Sequence, residues 1–264
     1  MCEPGDGDWG GLPVLLGNAQ QVATAAVALA SSGENRQCGP RRTVRTDLRR
    51  KGQAGVLISH QVLCEAMKRQ ITAAVGALRP TQMTVPLARV EHKRVQLRAV
   101  RDRQLRDFLT WHVMPAVLGP DLAVYLVGDH HVARALADEN VDTCYVTLER
   151  DMSRVARTAF WVSMERAGWV YPVDEHGRRR SFSNIPRTLA ELKDDPYRSL
   201  VGDMREYGGI ERGIDVAAEF AWAGFLRTQV PLALVTSDYP QARSLALVHV
   251  RSAAASRLPG FRAL

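Results

Sequence analysis

The sequence predicts an α+β fold in which a small mixed sheet is followed by a mainly helical C-terminal region. Two runs indicate the sheet: an apolar, β-prone run at residues 123–127 that stops at Gly128 and Asp129, and a β-branched run at residues 143–148. Apolar residues then recur at helical spacing in three segments, residues 152–167, 214–229 and 239–256. Because the strand-like runs precede most of the helical segments, the α+β class is favoured.

The N-terminal part of the chain, residues 1–77, is predicted to be an extension that is poorly ordered or helical. Gly-rich and Ala-rich stretches come first, and a basic segment at residues 36–51 follows. This segment fits either a solvated tail or an arm that binds nucleic acid. A helix is expected at residues 59–77, where apolar side chains recur near helical spacing. The folded domain is therefore expected to span residues 78–264.

Two further elements are expected before the central strands. After a β-prone start that Pro86 interrupts, the run up to Val113 shows an apolar stripe between arginine-rich faces, which predicts one amphipathic helix. Residues 116–118 and 123–127 then flank the turn sequence Gly-Pro-Asp, which predicts a β-hairpin. The run at residues 143–148 is expected to add a strand to the same sheet.

Composition excludes several classes of protein. With 264 residues and 46% hydrophobic content, the chain has enough apolar residues for an ordinary core and is not of disordered composition. A net charge of +7 favours anionic partners, nucleotide or nucleic acid, without choosing between them. The apolar stretch at residues 12–30 lacks a basic flank and is interrupted by polar residues, so we expect neither a secretory signal nor a membrane span.

The four cysteines predict no cofactor site. No two of them have the two-residue spacing of a zinc or redox motif, so they are interpreted as free thiols: Cys2, Cys38, Cys64 and Cys144. Free thiols are typical of a reducing compartment, and a cytoplasmic location is expected.

The sequence Gly128-Asp129-His130-His131 concentrates polar chemistry where the central strand gives way to a helix. A helix start offers unpaired N–H groups and the positive end of its dipole, which suit an anion such as phosphate. Arg134 follows one turn later, so we expect it to converge with both histidines on one anion site. The alternative is that Asp129 caps the helix and the histidines lie on the surface.

This segment resembles the phosphate-binding box of the ParB/sulfiredoxin superfamily. Segments further along the chain are similar to the ParB-like nuclease family within it: residues 160–165, 169–172, 194–200 and 219–227. The resemblance spans about residues 78–261, and the string at residues 194–200, Asp-Asp-Pro-Tyr-Arg-Ser-Leu, is its most specific part. One departure is visible: the family's box places the aspartate first, whereas Gly128 precedes Asp129 here.

The resemblance implies nucleotide or phosphate binding and, from the family, a nuclease that acts on phosphodiester substrates. Two alternatives remain: an ATP-dependent kinase of a small molecule such as a free amino acid, and a nucleotide-gated DNA-binding module of the partition type. The second normally has a helix-turn-helix after the box domain, and residues 187–264 show no clear one. The implied cofactors are Mg²⁺ and ATP or CTP, and the implied partners are a nucleotide and, for two of these functions, DNA.

Candidate site residues follow from the box and its flanks. The candidate catalytic residues are Glu91, as a base, and Asp129, His130 and His131. The candidate ligands of phosphate or nucleotide are Lys93, Gly128, His130, His131, Arg134 and Arg198. A structural role for Glu91 fits equally well, since a carboxylate near a helix start complements the positive end of the helix dipole.

The paired carboxylates of Asp194 and Asp195 are the candidate Mg²⁺ ligands. The alternative is that Asp195 caps a helix whose first residue is Pro196. Three tryptophans are able to stack on bases, but at helical spacing we expect them in the core: Trp161, Trp169 and Trp222.

Overall fold

The computed structural model describes residues 69–100 and 102–263, which belong to one compact unit that begins at Arg69. In this part of the chain there are six strands: β1 (Arg69–Ala74), β2 (Thr84–Val85), β3 (Met114–Leu118), β4 (Val124–Leu126), β5 (Thr143–Asp151) and β6 (Lys193–Asp194). The α-helices of the same part are α1 (Leu87–Ala99), α2 (Asp102–Trp111), α3 (His130–Asp138), α4 (Arg157–Arg166), α5 (Pro196–Glu206), α6 (Val216–Gln229), α7 (Leu232–Ser237) and α8 (Tyr239–Val250).

The larger sheet has four strands in the order β1-β5-β3-β4. Strands β3 and β4 form the predicted antiparallel hairpin, with Val117 opposite Tyr125. Strand β5 joins β3 in parallel, as expected for the β-branched run, and pairs on its other side with β1 in antiparallel register. The sheet is therefore mixed, as predicted.

Strand β1 corrects the prediction for residues 69–77. These residues form a strand and a short 3-10 turn, Val75–Ala77, instead of the end of a helix. Ile71 lies opposite Val146, so pairing with β5 satisfies the backbone and overrides a weak helical spacing. The compact unit thus starts at Arg69 instead of residue 78. The predicted basic arm and the first part of that helix, residues 59–68, lie outside the described residues.

The predicted single helix up to Val113 is two helices, α1 and α2. The chain leaves the helical conformation at Val100, where φ is −95° and ψ is 145°. Because of this break, Leu97 on α1 and Leu109 on α2 both reach the same hydrophobic core. An unbroken helix would carry its second half away from that core.

The C-terminal region is mainly helical, as predicted, but its boundaries differ. Helix α4 is shorter than the predicted segment because residues 152–156 form a turn with Met152 buried. Helix α8 ends at Val250 instead of residue 256. Helix α5 begins at Pro196 with Asp195 as its N-cap, which is the alternative interpretation of that aspartate.

Three hydrophobic clusters lie around the sheet. One sheet face packs against α1, α2 and α3, and Val117 on the other face packs with Phe160 and Met164 of α4. The C-terminal helices form their own core around Trp222, whose side chain is fully buried and donates Nε1–H to the carbonyl of Pro259 at 2.7 Å. Cys144 is a buried free thiol, and burial raises its pKa to about 11.

The small sheet places two helix starts near each other. Strands β2 and β6 pair in parallel, with Val85 opposite Asp194, and α1 and α5 begin immediately after them. Helix α3 follows β4 of the larger sheet, with three residues between them. Among the described helices, none has both the length and the apolar character needed to cross a membrane.

Candidate functional site

The candidate site forms at the junction between β4 and α3. Asp129 takes the left-handed conformation, with φ 51° and ψ 30°, which aspartate adopts more readily than most residues. Its carbonyl accepts hydrogen bonds from the N–H groups of Val132 and Ala133 at 2.9 and 3.1 Å. Its carboxylate makes no capping hydrogen bond. The side-chain cap proposed as an alternative is therefore wrong, and the carboxylate faces the cavity in front of the helix.

Gly128 brings this junction close to the neighbouring strand. A Cβ atom at this position would lie 2.8 Å from Cγ of Pro115 on β3, which is too close for an ordinary contact. The absence of a side chain therefore sets the position of Asp129 and of the start of α3.

A cavity of about 400 Å³ opens in front of this helix start. Its wall is built from α1, the junction, the start of α5 and the segment at residues 214–219. The charged and titratable side chains that line it are Arg89, Lys93, His112, Asp129, His130, His131, Arg198, Arg205, Asp215 and Glu219. A volume of this size suits a small ligand.

Two cations of α1 enter the cavity one helical turn apart. The amino group of Lys93 lies 2.9 Å from Nε2 of His112 and 3.1 Å from Oε1 of Gln96. Burial lowers the pKa of Lys93, the nearby charge of Arg89 lowers it further, and the carboxylate of Asp129 opposes both effects. The guanidinium of Arg89 has no hydrogen bond or ion pair with any residue that the structure describes. Its donors are therefore available to a ligand.

The two box histidines are neutral. Nε2 of His130 accepts the N–H of Thr81 at 3.0 Å, so the imidazole proton must be on Nδ1. Burial, and then the charge of Arg198, lowers the pKa of His130 to about 3. Burial, followed by the charges of Arg89 and Lys93, likewise lowers the pKa of His131 to about 3. The histidines therefore supply neutral donors, and the positive charge comes from α1.

Nδ1 of His130 is buried and has no hydrogen-bond partner among the described residues, and the same holds for Oε1 of Gln82. Both residues line the cavity and are almost fully buried. An unpaired buried polar atom is costly, and the two atoms need different partners: Nδ1 of His130 is a donor that requires an acceptor, whereas Oε1 of Gln82 is an acceptor that requires a donor.

Arg198 lies at the cavity wall and is held in place by contacts with other residues. Its Nε donates to Glu219 at 2.8 Å, its Nη1 donates to the carbonyl of Thr84 at 2.5 Å, and its guanidinium lies 4.4 Å above the ring of Phe220. Glu219 compensates its charge, so Arg198 contributes less positive potential than Arg89 does.

The predicted convergence of Arg134 with the histidines is wrong. Nε of Arg134 pairs with Asp138 at 2.8 Å, and Nη1 donates to the carbonyls of Leu189, Ala190 and Leu192. Arg134 does not line the cavity. Arg134 does lie one helical turn after His130, but its side chain packs against residues 189–192 and not into the cavity.

Glu91 is not brought to the cavity either. It is exposed on α1 and pairs with Arg94 at 2.8 Å and with Arg98 at 3.4 Å. Lys93 is two positions further along the helix, which turns the two side chains to different faces. The geometry therefore does not support Glu91 as a catalytic base.

Asp194 and Asp195 both have structural partners. Asp195 is fully buried, accepts the N–H of Tyr197 and binds Nη2 of Arg227 through both oxygens, at 2.8 and 2.7 Å. Asp194 accepts the N–H of Leu87 at 2.9 Å, at the start of α1. The pair does not fit an Mg²⁺ site, and no group of three or more His, Cys, Asp or Glu side chains is placed to hold a metal in the described part of the chain.

Sequence reasoning also missed residues of the cavity. Arg89 was missed, although it lies four residues before the predicted ligand Lys93 on one helix, a spacing that could have indicated a shared cationic face. Gln82, His112 and Glu219 come from distant segments and have no local signal in the sequence.

Sequence comparison identifies the class of protein to which this chain belongs. Residues 71–228 match the family described as "Putative ParB-like nuclease". The match covers more than half of the 264 residues, so the chain belongs to this ParB-like family.

Among solved structures, the chain is similar to the crystal structure of protein Atu1540 from Agrobacterium tumefaciens, with 33% identity and a TM-score of 0.68. That similarity covers 74% of this chain and 99% of the other. The crystal structure of the C-terminally truncated chromosome-partitioning protein ParB from Caulobacter crescentus, complexed with CTP-gamma-S, is a weaker match, with 12% identity, a TM-score of 0.26, and coverage of 67% of this chain and 92% of the other. Among curated proteins, none matches this sequence.

Proposed function

We propose that the cavity binds the phosphate of a nucleotide, either free or at the end of a nucleic-acid strand. The observation that carries this proposal is the arrangement of Arg89 and Lys93 opposite the start of α3. Two cations and the N–H groups of a helix start form a favourable site for a phosphate. The cavity has the volume for one nucleotide and not for the middle of a duplex.

We propose hydrolysis of a phosphodiester as the reaction, with Asp129 as the proton acceptor. Partial desolvation at the cavity wall raises the pKa of Asp129, although the residue keeps contact with solvent, and the charges of His112, Lys93 and Arg89 oppose that rise. A carboxylate of raised pKa is a better base for an attacking water. The water oxygen bonds to phosphorus while the bond from phosphorus to the leaving oxygen breaks; Asp129 takes the water proton, and Lys93 gives a proton to the leaving oxygen. The lowered pKa of Lys93 makes it a better donor. The family description supports this class of reaction.

A phosphotransferase that uses ATP is the second candidate. One observation favours it: a neighbouring cavity of about 270 Å³ shares Arg89, Lys93 and His131 with the first. This second cavity offers room for an acceptor molecule beside the phosphate site.

Calorimetric titration with ATP and CTP tests the binding step. We expect the double variant with Arg89→Ala and Lys93→Ala to lose at least about a hundredfold in affinity, because each charge-assisted contact contributes roughly 1.5–3 kcal/mol. The control is Arg98→Gln, since Arg98 lies exposed on the same helix and pairs with Glu139. Equal affinity in wild type and the double variant would contradict the site.

The reaction is tested with Asp129→Asn, which keeps the size of the side chain and its tolerance of the left-handed conformation. DNA nicking and nucleotide hydrolysis are followed separately, with ATP, CTP and plasmid DNA, with and without Mg²⁺. We expect unchanged nucleotide binding and turnover reduced by about 10²- to 10⁴-fold, as for loss of a general base. Full activity in this variant would exclude Asp129 as the base.

A further inference from the structure

A third cavity lies beside β4. It has a volume of about 530 Å³ and is lined by residues of the β4 edge, α4 and the segment at residues 182–187. We call it the aromatic groove. The side chains that define it are Tyr125, Trp161, Phe182, Arg79, Arg157 and Arg187.

The three aromatic rings of the groove are half-buried and packed on one another. The rings of Trp161 and Phe182 are nearly parallel, with 5.9 Å between their centres and an angle of 14°. The ring of Tyr125 meets Trp161 edge-on at 5.5 Å. Mutual packing holds the rings in place while part of each surface remains open to solvent, an arrangement that suits stacking of a flat ligand.

The groove is positively charged. It is lined by three arginines, and no carboxylate is among the described residues that line it. Its two walls are tied together, because Nη1 of Arg79 donates to the carbonyl of Arg187 at 2.7 Å. The N–H of Arg187 donates to Glu191 at 2.9 Å, which fixes the end of the 182–187 segment. The groove is therefore preformed and complementary to a ligand that is both aromatic and anionic.

The groove and the phosphate cavity share two chain segments. Arg79 lines the groove and Gln82 the cavity, and Tyr125 lines the groove while Gly128 lines the cavity. The two segments run side by side, with Arg79 bridged to Tyr125. Three positions separate the groove residue from the cavity residue in each segment, a span of at most about 10 Å, so one strand of nucleic acid is long enough to contact both sites.

We propose that the aromatic groove binds unpaired bases of a single-stranded nucleic acid. Trp161 and Phe182 stack on the bases, and Arg79 and Arg187 contact the backbone phosphates. Stacking on aromatic rings combined with a basic groove is the general mode of single-strand binding. The proposal extends the proposed function by making a nucleic-acid strand the substrate, with its terminal phosphate in the cavity.

The test is titration of the full chain with a labelled single-stranded oligothymidine of about ten nucleotides. We expect Trp161→Ala and Arg187→Glu each to weaken binding at least about fivefold, and Trp161→Phe to restore most of it. Arg166→Glu is the matched charge control, because Arg166 is exposed at the end of α4 and does not line the groove. Thermal unfolding of each variant verifies that it is folded.

Three results would overturn the proposal: no binding of the oligonucleotide, equal affinity in wild type, Trp161→Ala and Arg187→Glu, or an equal loss in Arg166→Glu. The double variant at Arg89 and Lys93 separates the two sites. If that variant binds ATP and CTP normally, the proposal that the cavity binds phosphate is contradicted, while the conclusion on the aromatic groove still holds. If only the groove variants behave as wild type, the proposal that the groove binds bases is contradicted, while the proposal that the cavity binds phosphate still holds.

Discussion

At the scale of single residues, His130 shows how one hydrogen bond fixes a protonation state. The N–H of Thr81 points at Nε2, so a protonated imidazole would place two donors against each other. Burial adds to this effect and disfavours the charged ring. The ring is therefore neutral, and its one N–H is on Nδ1.

The protonation states of His130 and His131 can be measured by NMR. We expect their ring resonances not to titrate between about pH 8 and about pH 5, because both pKa values are about 3. Signals are assigned with His130→Gln and His131→Gln. A midpoint near pH 6.5 for either ring would contradict the proposed environment.

The same shifts affect stability, and the sign follows from linkage. Below about pH 6.5 the unfolded chain binds a proton at each histidine, whereas the folded chain does not until about pH 3. Each histidine therefore lowers the free energy of unfolding as pH falls through this window, by at most about 1.4 kcal/mol per pH unit. His131→Gln should make the decrease between about pH 6.5 and about pH 5 shallower.

Arg134 gives a prediction about stability instead of binding. Arg134→Ala removes an ion pair and one donor to three backbone carbonyls, of which that of Leu189 still accepts the N–H of Leu192. We expect the free energy of unfolding to fall by roughly 1.5–3 kcal/mol and the affinity for ATP and CTP to change by less than about threefold. Denaturant titration and calorimetry measure the two quantities. A large loss of affinity in a variant that remains stable would show that Arg134 takes part in nucleotide binding.

At the scale of elements, the β4–α3 junction depends on the close approach of two backbones. Gly128→Ala would place a methyl group 2.8 Å from the ring of Pro115, so β3 and the junction must separate. We expect a loss of roughly 1–3 kcal/mol in stability, as for overpacking of a core. Because the start of α3 moves with the junction, nucleotide affinity should fall as well. Gly213→Ala is a control, since a Cβ at Gly213 meets no atom within 4 Å.

At the scale of the whole molecule, the position of β1 decides where the chain can be shortened. We expect a protein that begins at residue 69 to unfold cooperatively, because the compact unit begins there. A protein that begins at residue 78 loses β1 and leaves one edge of β5 unpaired. It should be less stable or aggregate. Equal unfolding curves for the two proteins would show that β1 is dispensable.

The sequence alone determined the central part of the fold. The hairpin, the strand of β-branched residues and the start of α3 at His130 were all predictable, because local pattern and turn residues agree there. The sequence also identified much of the cavity wall, namely Gly128, Asp129, His130, His131, Lys93 and Arg198. These residues lie next to a strong local signal or in a specific motif.

Only the tertiary structure decided which side chains share one cavity and what charge each carries. Spacing put Arg134 one turn after His130, but packing against residues 189–192 directed it away. The paired aspartates suggested a metal, but Arg227, distant in sequence, binds one of them. The histidines suggested positive charge, but burial keeps them neutral. Burial and long-range contacts determine these properties, and neither is encoded in a local pattern.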